Sequence, residues 1–179
     1  MAMILFHGEP TGPSLTALAA LFESGLEAQL RPVDLGLAER HGGAIPLGFE
    51  VSYSVEGEGP VLLVGDEPLV DSVFIGCALD DMAPHSDLRP KAPYARWEMM
   101  AWCRWVIERL APGAAALANI AWTTPQLAAL DDATFEAMIA PIEADDLRER
   151  WVQTRAGMLS DEHRAASEAR VHEATKKID

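Results

Sequence analysis

Residues 60–81 constrain the fold more than any other stretch of the chain. Pro60-Val-Leu-Leu-Val64 is a short apolar run, Gly65-Asp66 is a hairpin signal, and Glu67-Pro-Leu-Val70 has strand character again. Asp71-Ser72 then open an apolar helix running to about Asp81. Two strands joined by a tight turn and followed at once by a helix predict an antiparallel pair with a helix packed on it.

The first residues complete that sheet. Met3–His7, closed by Gly8, reads as a buried strand, and Gly8-Glu-Pro-Thr-Gly-Pro-Ser14 as a loop. Leu15 to Ser24 follows with Leu15, Leu18, Ala19, Leu21 and Phe22 on one helical face, and Gly25 sits where a helix C-cap belongs. Ala28 to Val33 is a second strand, so the opening is β-α-β with a parallel pair and a right-handed crossover. The predicted order is β-α-β-loop-β-β-α, the loop being residues 34–58, with room for one short helix.

Residues 82–91 read as a proline-containing linker. Beyond it the pattern is helical throughout: Ala92 to Leu110, Thr123 to Met138 around a break at Pro125, Glu143 to Gly157 after Pro141, and Ser160 to Ile178. The last of these is polar on nearly every face, which predicts a weakly packed tail or a helix lying against a partner. The expected domains are therefore 1–81 and 92–179.

Charge and cysteine content narrow the chemistry. Lys and Arg number 14 against 28 Asp and Glu, a formal net charge of −14, and such a field repels nucleic acid and anionic lipid. The two cysteines, Cys77 and Cys103, lie in apolar helical stretches and imply neither a disulfide framework nor a metal cluster. No signal-peptide pattern and no membrane-length apolar run occurs, so the expectation is a soluble, cytoplasmic protein.

Three local features can make a site. A hydroxyl at Ser14, where loop meets helix, either caps the helix or stabilises a ligand thiolate held over the positive end of the helix dipole. Gly59-Pro60 either leads a strand in the ordinary way or presents outward-turned backbone groups to an extended peptide. Asp71-Ser72 either cap their helix or hold the paired charges of an α-amino acid end group.

Taken together, in this order and spacing, these features resemble a glutathione transferase, and most closely the bacterial glutathione-dependent β-aryl-etherases that cleave lignin-type ethers. Pro13–Glu27 is similar to their first helix. Gly59–Ile75 is similar to their cis-proline strand, turn and glutathione-binding helix. Asp87–Trp105 is similar to their linker and first helix of the all-helical domain, with fainter likeness at Asn119-Ile-Ala-Trp122 and Glu149-Arg-Trp151. The resemblance implies an α/β plus all-α chain of the glutathione-transferase fold: a thioredoxin-like N-terminal domain and a helical C-terminal domain, here shorter than is usual and so truncated. It implies Ser14 beside the glutathione sulfur, Gly59 and cis-Pro60 pairing with the cysteinyl backbone, and Asp71 and Ser72 holding the γ-glutamyl end. Arg40 and His41 are the candidates near the glycyl carboxylate. Trp97, Met100, Trp102 and Trp105 would line the substrate cleft or the subunit interface, or simply pack as core.

The chain departs from the family pattern at Ser54-Val-Glu-Gly-Glu-Gly-Pro60, where two glutamates flank the site and Gly59 replaces the usual valine. The short helical half leaves apolar surface open, which predicts a partner. Three functions follow from the resemblance. The chain is the accessory, stabilising subunit of a heterodimeric β-etherase whose full-length partner carries most of the chemistry. Otherwise it is a self-sufficient homodimeric transferase, in which glutathione thiolate displaces a phenolate from a small aromatic ether. The third reading is a non-catalytic binding or regulatory module of the same fold.

Overall fold

A computed structural model of the chain describes residues 2–8, 11–41, 45 and 59–178. It resolves into two compact units, Met1–Ala101 and Trp102–Asp179. The first contains β1 (Met3–His7), α1 (Gly12–Ser24), β2 (Gln29–Pro32), 3-10 turns at Leu35–Leu37 and Glu39–His41, β3 (Val61–Val64), β4 (Glu67–Val70) and α2 (Ser72–Met82). The strands form one sheet in the order β2-β1-β3-β4. β1 runs parallel to β2 and antiparallel to β3, and β3 is antiparallel to β4, as the β-α-β opening and the Gly65-Asp66 hairpin predict. Of the expected 34–58 loop, the described part is the two 3-10 turns and Ile45; the Phe49–Val55 stretch lies outside the described residues.

Of the face expected on α1, Leu18 and Leu21 are buried, but Leu15 and Phe22 are 53% and 70% exposed and Ala19 is exposed too; the face turned inward is Ser14, Ala17, Leu18 and Leu21, because these positions repeat at the helical spacing of three and four. Leu5 of β1 stands opposite Leu62 of β3, and Ala17, Leu18 and Leu21 of α1 meet Ile75 and Leu79 of α2 over them, all buried. Burying each leucine or isoleucine contributes about 1.5–3 kcal/mol. The two helices close on small residues: a Cβ placed at Gly76 would lie 3.6 Å from the Ala20 Cβ. Beyond α2 the linker is tied back. Arg89 Nε donates to Asp80 Oδ2 at 2.6 Å, the Leu88 amide donates to Asp80 Oδ1 at 3.0 Å, and a second Arg89 nitrogen reaches Asp81.

The division between the units falls inside α3 (Pro93–Trp105). The second unit holds α4 (Ala111–Ala118), α5 (Thr124–Ala128), α6 (Asp132–Ile139), α7 (Asp145–Arg155) and α8 (Asp161–Ile178). The expected break at Pro125 is not there. The backbone stays right-handed helical from α3 through α5, passing two π-helical turns, Val106–Leu110 and Asn119–Thr123. In each, an amide bonds five residues back, Ala111 to the Val106 carbonyl and Thr124 to the Asn119 carbonyl, and a proline follows one residue later. A proline lacks the amide and its ring crowds the carbonyl four residues before it; the widened turn accommodates both defects, so Pro112 and Pro125 do not end the helix.

The chain turns instead at 129–131, where Asp131 caps α6 by accepting from the Thr134 amide at 2.9 Å. Arg155 holds the junction: its guanidinium donates to the Leu130 carbonyl at 2.7 Å, the Leu127 carbonyl at 3.3 Å and Asp132 Oδ1 at 2.8 Å. It also lies 4.5 Å from the centre of the Phe135 ring. The final helix is not a loose tail. α8 packs on α4 through small residues, with Ser167 and Ala174 buried, and a Cβ added at Gly113 would lie 3.4 Å from the Ser167 carbonyl oxygen.

Candidate functional site

One end of the sheet in the first unit gathers five of the residues singled out from the sequence: Ser14, Gly59, Pro60, Asp71 and Ser72. Val61 pairs with Phe6 on one side and with Val70 on the other. One residue beyond those rungs stand Pro60, His7 and Asp71. The end of β1, the start of β3 and the start of α2 therefore share one edge.

The loop from β1 to α1 is organised by a polar net. Thr11, rather than Ser14, is the N-cap of α1: its hydroxyl accepts from the Ser14 amide at 3.3 Å, and Pro13 follows inside the first turn. Ser14 is 0% exposed, and its Oγ accepts the Gly8 amide proton at 3.0 Å. That leaves the Ser14 O–H as a donor at the start of the helix. Gly8 is required here, because a Cβ would collide with the Leu35 side chain. Thr11 and Gly8 escaped the sequence reading, although Thr-Gly-Pro-Ser carries the cap-then-proline pattern that marks a helix start.

At the opposite side of this edge Gly59 and Pro60 are buried where β3 begins. Asp71 occupies the N-cap position of α2 but makes no capping hydrogen bond with its side chain, contrary to the simple capping alternative. Its backbone lies at φ 64° and ψ 121°, one of two non-glycine residues with positive φ among the described residues. Such a conformation costs of order 1–3 kcal/mol and persists where surrounding structure imposes it, often at ligand sites. It turns the chain so that β4 passes directly into α2. Asp71 and Ser72 are both buried.

The other candidates lie apart from this edge in the chain. Arg40 and His41 are buried within the second 3-10 turn. On α3, Trp97 is 61% exposed and Met100 half-buried. In the second unit Trp102 and Trp105 stack with ring centres 5.1 Å apart, and Lys177 Nζ sits 4.0 Å over the Trp105 ring. Core packing thus claims none of these four fully. Among the described residues no cluster of His, Cys, Asp and Glu is arranged to hold a metal, and no helix is long and apolar enough to cross a membrane.

A β-α-β-β-α unit with this edge, followed by a helical unit, is the glutathione-transferase fold. Human glutathione transferase theta-2, solved with glutathione, superposes with a TM-score of 0.58 at 20% identity, covering 89% of this chain and 60% of that one. A glutathione transferase homologue from Sulfitobacter with bound glutathione gives 0.52 at 16% identity, covering 97% and 92%. The crystal structure of β-etherase LigF from Sphingobium sp. strain SYK-6 gives 0.83 at 25% identity, covering 99% of this chain and 72% of that one. No family model matches the chain. The LigF sequence from the same Sphingobium strain is 31% identical over 193 residues, spanning 100% of this chain and 71% of LigF. The chain belongs to the LigF family of β-etherases.

Proposed function

We propose that this chain is a subunit of a glutathione-dependent β-etherase, in which glutathione thiolate attacks the carbon bearing an aryl ether and a phenolate leaves. The single observation that carries the reading is the whole-length relationship to LigF. The sheet edge supports it: Ser14, Gly59-Pro60 and Asp71-Ser72 lie in the three segments that converge there. In this reading the Ser14 hydroxyl, held by the Gly8 amide, donates toward the sulfur and favours its thiolate. The backbone at Gly59 and Pro60 pairs with the cysteinyl unit, and Asp71 and Ser72 take the γ-glutamyl ammonium and carboxylate. His41, buried beside Arg40 in the second 3-10 turn, serves the glycyl end.

The subunit acts in a dimer, in the preferred form with a full-length relative that carries most of the turnover. Exposed aromatic residues on the long helix support an interface: Tyr94, Trp97, Trp102 and Trp122 all present large apolar area. Cys77 and Cys103 form no disulfide, which fits a reducing cytoplasm.

Retention on glutathione resin tests the binding half, and its failure would leave only a fold. A model β-aryl ether offered to the isolated chain tests the rest. Turnover by a well-behaved homodimer would overturn the accessory role. Ser14→Ala should raise the pKa of the bound glutathione thiol, read from thiolate absorbance. A variant that merely melts at lower temperature, with that pKa unmoved, would assign Ser14 to loop structure instead.

A further inference from the structure

The start of α1 carries two hydroxyls, and they differ in access. Ser14 is 0% exposed, and its proton has no acceptor among the described residues. Thr11, three residues earlier, is only half-buried. A ligand approaching this helix start from solvent therefore meets Thr11 before Ser14.

The amides of the first turn are mostly spoken for. Pro13 has no amide hydrogen. The Ser14 amide donates to Thr11 Oγ1 and the Leu15 amide to the Thr11 carbonyl at 3.0 Å. Among the described residues this leaves the Gly12 amide for a ligand. The space beside it is open, since a Cβ at Gly12 would have nothing within 4 Å. One amide next to one hydroxyl, at the positive end of a helix, suits a single anionic atom.

Thr11 holds its hydroxyl loosely. Oγ1 donates to the Gly8 carbonyl at 3.4 Å and accepts from the Ser14 amide at 3.3 Å, both longer than ordinary hydrogen bonds of their kind. Turning the proton from the Gly8 carbonyl to a ligand gives up little. Oγ1 can go on accepting from the Ser14 amide while it donates outward, so the helix stays capped.

We infer, resting on the glutathione reading given above, that Thr11 donates a second hydrogen bond to the glutathione sulfur from the open side of the helix start. On binding, Oγ1 exchanges the Gly8 carbonyl for the sulfur. A hydrogen bond to the charged form lowers the thiol pKa, so Thr11 adds to the thiolate population that Ser14 favours.

Two substitutions separate this role from capping. Thr11→Val removes both the donor and the capping acceptor, whereas Thr11→Asp keeps a good cap but has no proton to give at neutral pH. The bound thiol pKa, read from thiolate absorbance, should rise by about one pH unit in each, a roughly tenfold smaller thiolate fraction below that pKa. Thr11→Ser should restore the native value. Thermal melting should fall in Thr11→Val and stay near native in Thr11→Asp. A thiol pKa unmoved in both, with Thr11→Val merely melting earlier, would leave Thr11 a cap and overturn the proposal. A rise in Thr11→Asp alone is the added charge acting and would overturn it too, as would an equal rise in Thr11→Ser. Should Thr11→Val fail to fold by circular dichroism, the aspartate and serine variants decide. Glutathione-resin retention by the native chain is measured first. Its absence would remove the glutathione reading and this role with it, whereas retention with an unmoved pKa would remove the role of Thr11 alone.

Discussion

At Asp71 the backbone adopts a conformation that a residue with a Cβ resists and glycine does not. Asp71→Ala and Asp71→Gly both remove the carboxylate, so their comparison isolates the strain. The glycine variant should be the more stable of the two by about 1 kcal/mol in denaturant unfolding. Both should lose glutathione retention if the carboxylate holds the ligand ammonium. A second residue-scale prediction concerns Asp80, whose carboxyl is held below its usual pKa, first by the Arg89 hydrogen bond, then by those from the Ser86 side chain and the Leu88 amide. A lowered folded pKa contributes stability above the unfolded value that disappears as pH falls through the folded one. Asp80→Asn should therefore melt earlier than the native chain near pH 7, with the gap closing only as pH falls below the ordinary aspartate pKa of about 3.9. At this scale the sequence marks residues that meet at one sheet edge but not their geometry. Asp71-Ser72 looks like any helix cap, because a backbone angle leaves no mark on side-chain pattern.

Among the elements, the four strands and α1 and α2 were legible because their ends carry Gly25, Gly65 and Asp71, but the buried face of α1 was not: Leu15 and Phe22 are exposed, since a helix this rich in leucine and alanine offers more than one apolar stripe. The helical half was less so. A proline is ordinarily a helix stop, and nothing in Pro112 or Pro125 announces the π turn that absorbs it. The junction that does end the long helix depends on Arg155, which is distant in sequence. Arg155→Ala should cost about 1–3 kcal/mol, since it takes the guanidinium from the Leu130 carbonyl and from the Leu127 carbonyl, the latter keeping the Leu130 amide. Arg155→Lys should recover only part of this, a point charge being unable to reach three acceptors at once. The α4–α8 contact gives a further test. Gly113→Ala fits at ordinary contact distance and should raise stability by up to about 1 kcal/mol through helix propensity. Gly113→Leu should lower it by about 1–3 kcal/mol by forcing α8 away. Thermal melts of the two variants should move in opposite directions.

Across the whole molecule the excess of acidic groups opposes an anionic tripeptide at long range, while any local donors act within a few ångströms. Salt screens the first more than the second. Glutathione capture should accordingly improve, or at least not weaken, between about 10 and 150 mM sodium chloride. A steep loss over that interval would mean that exposed cations do the binding. The two prolyl detours have a consequence for the length of the chain itself. A π turn is an α-helix carrying one supernumerary residue, so each is a place where the polypeptide has absorbed an insertion without leaving its axis. Excising a single residue from 106–110 or from 119–123 should restore regular winding and leave the downstream face nearly where it was, whereas the same deletion in a regular turn of α4 would rotate that face by roughly 100°. Relatives that differ by one residue in either π turn would then present the same stripe of side chains outward.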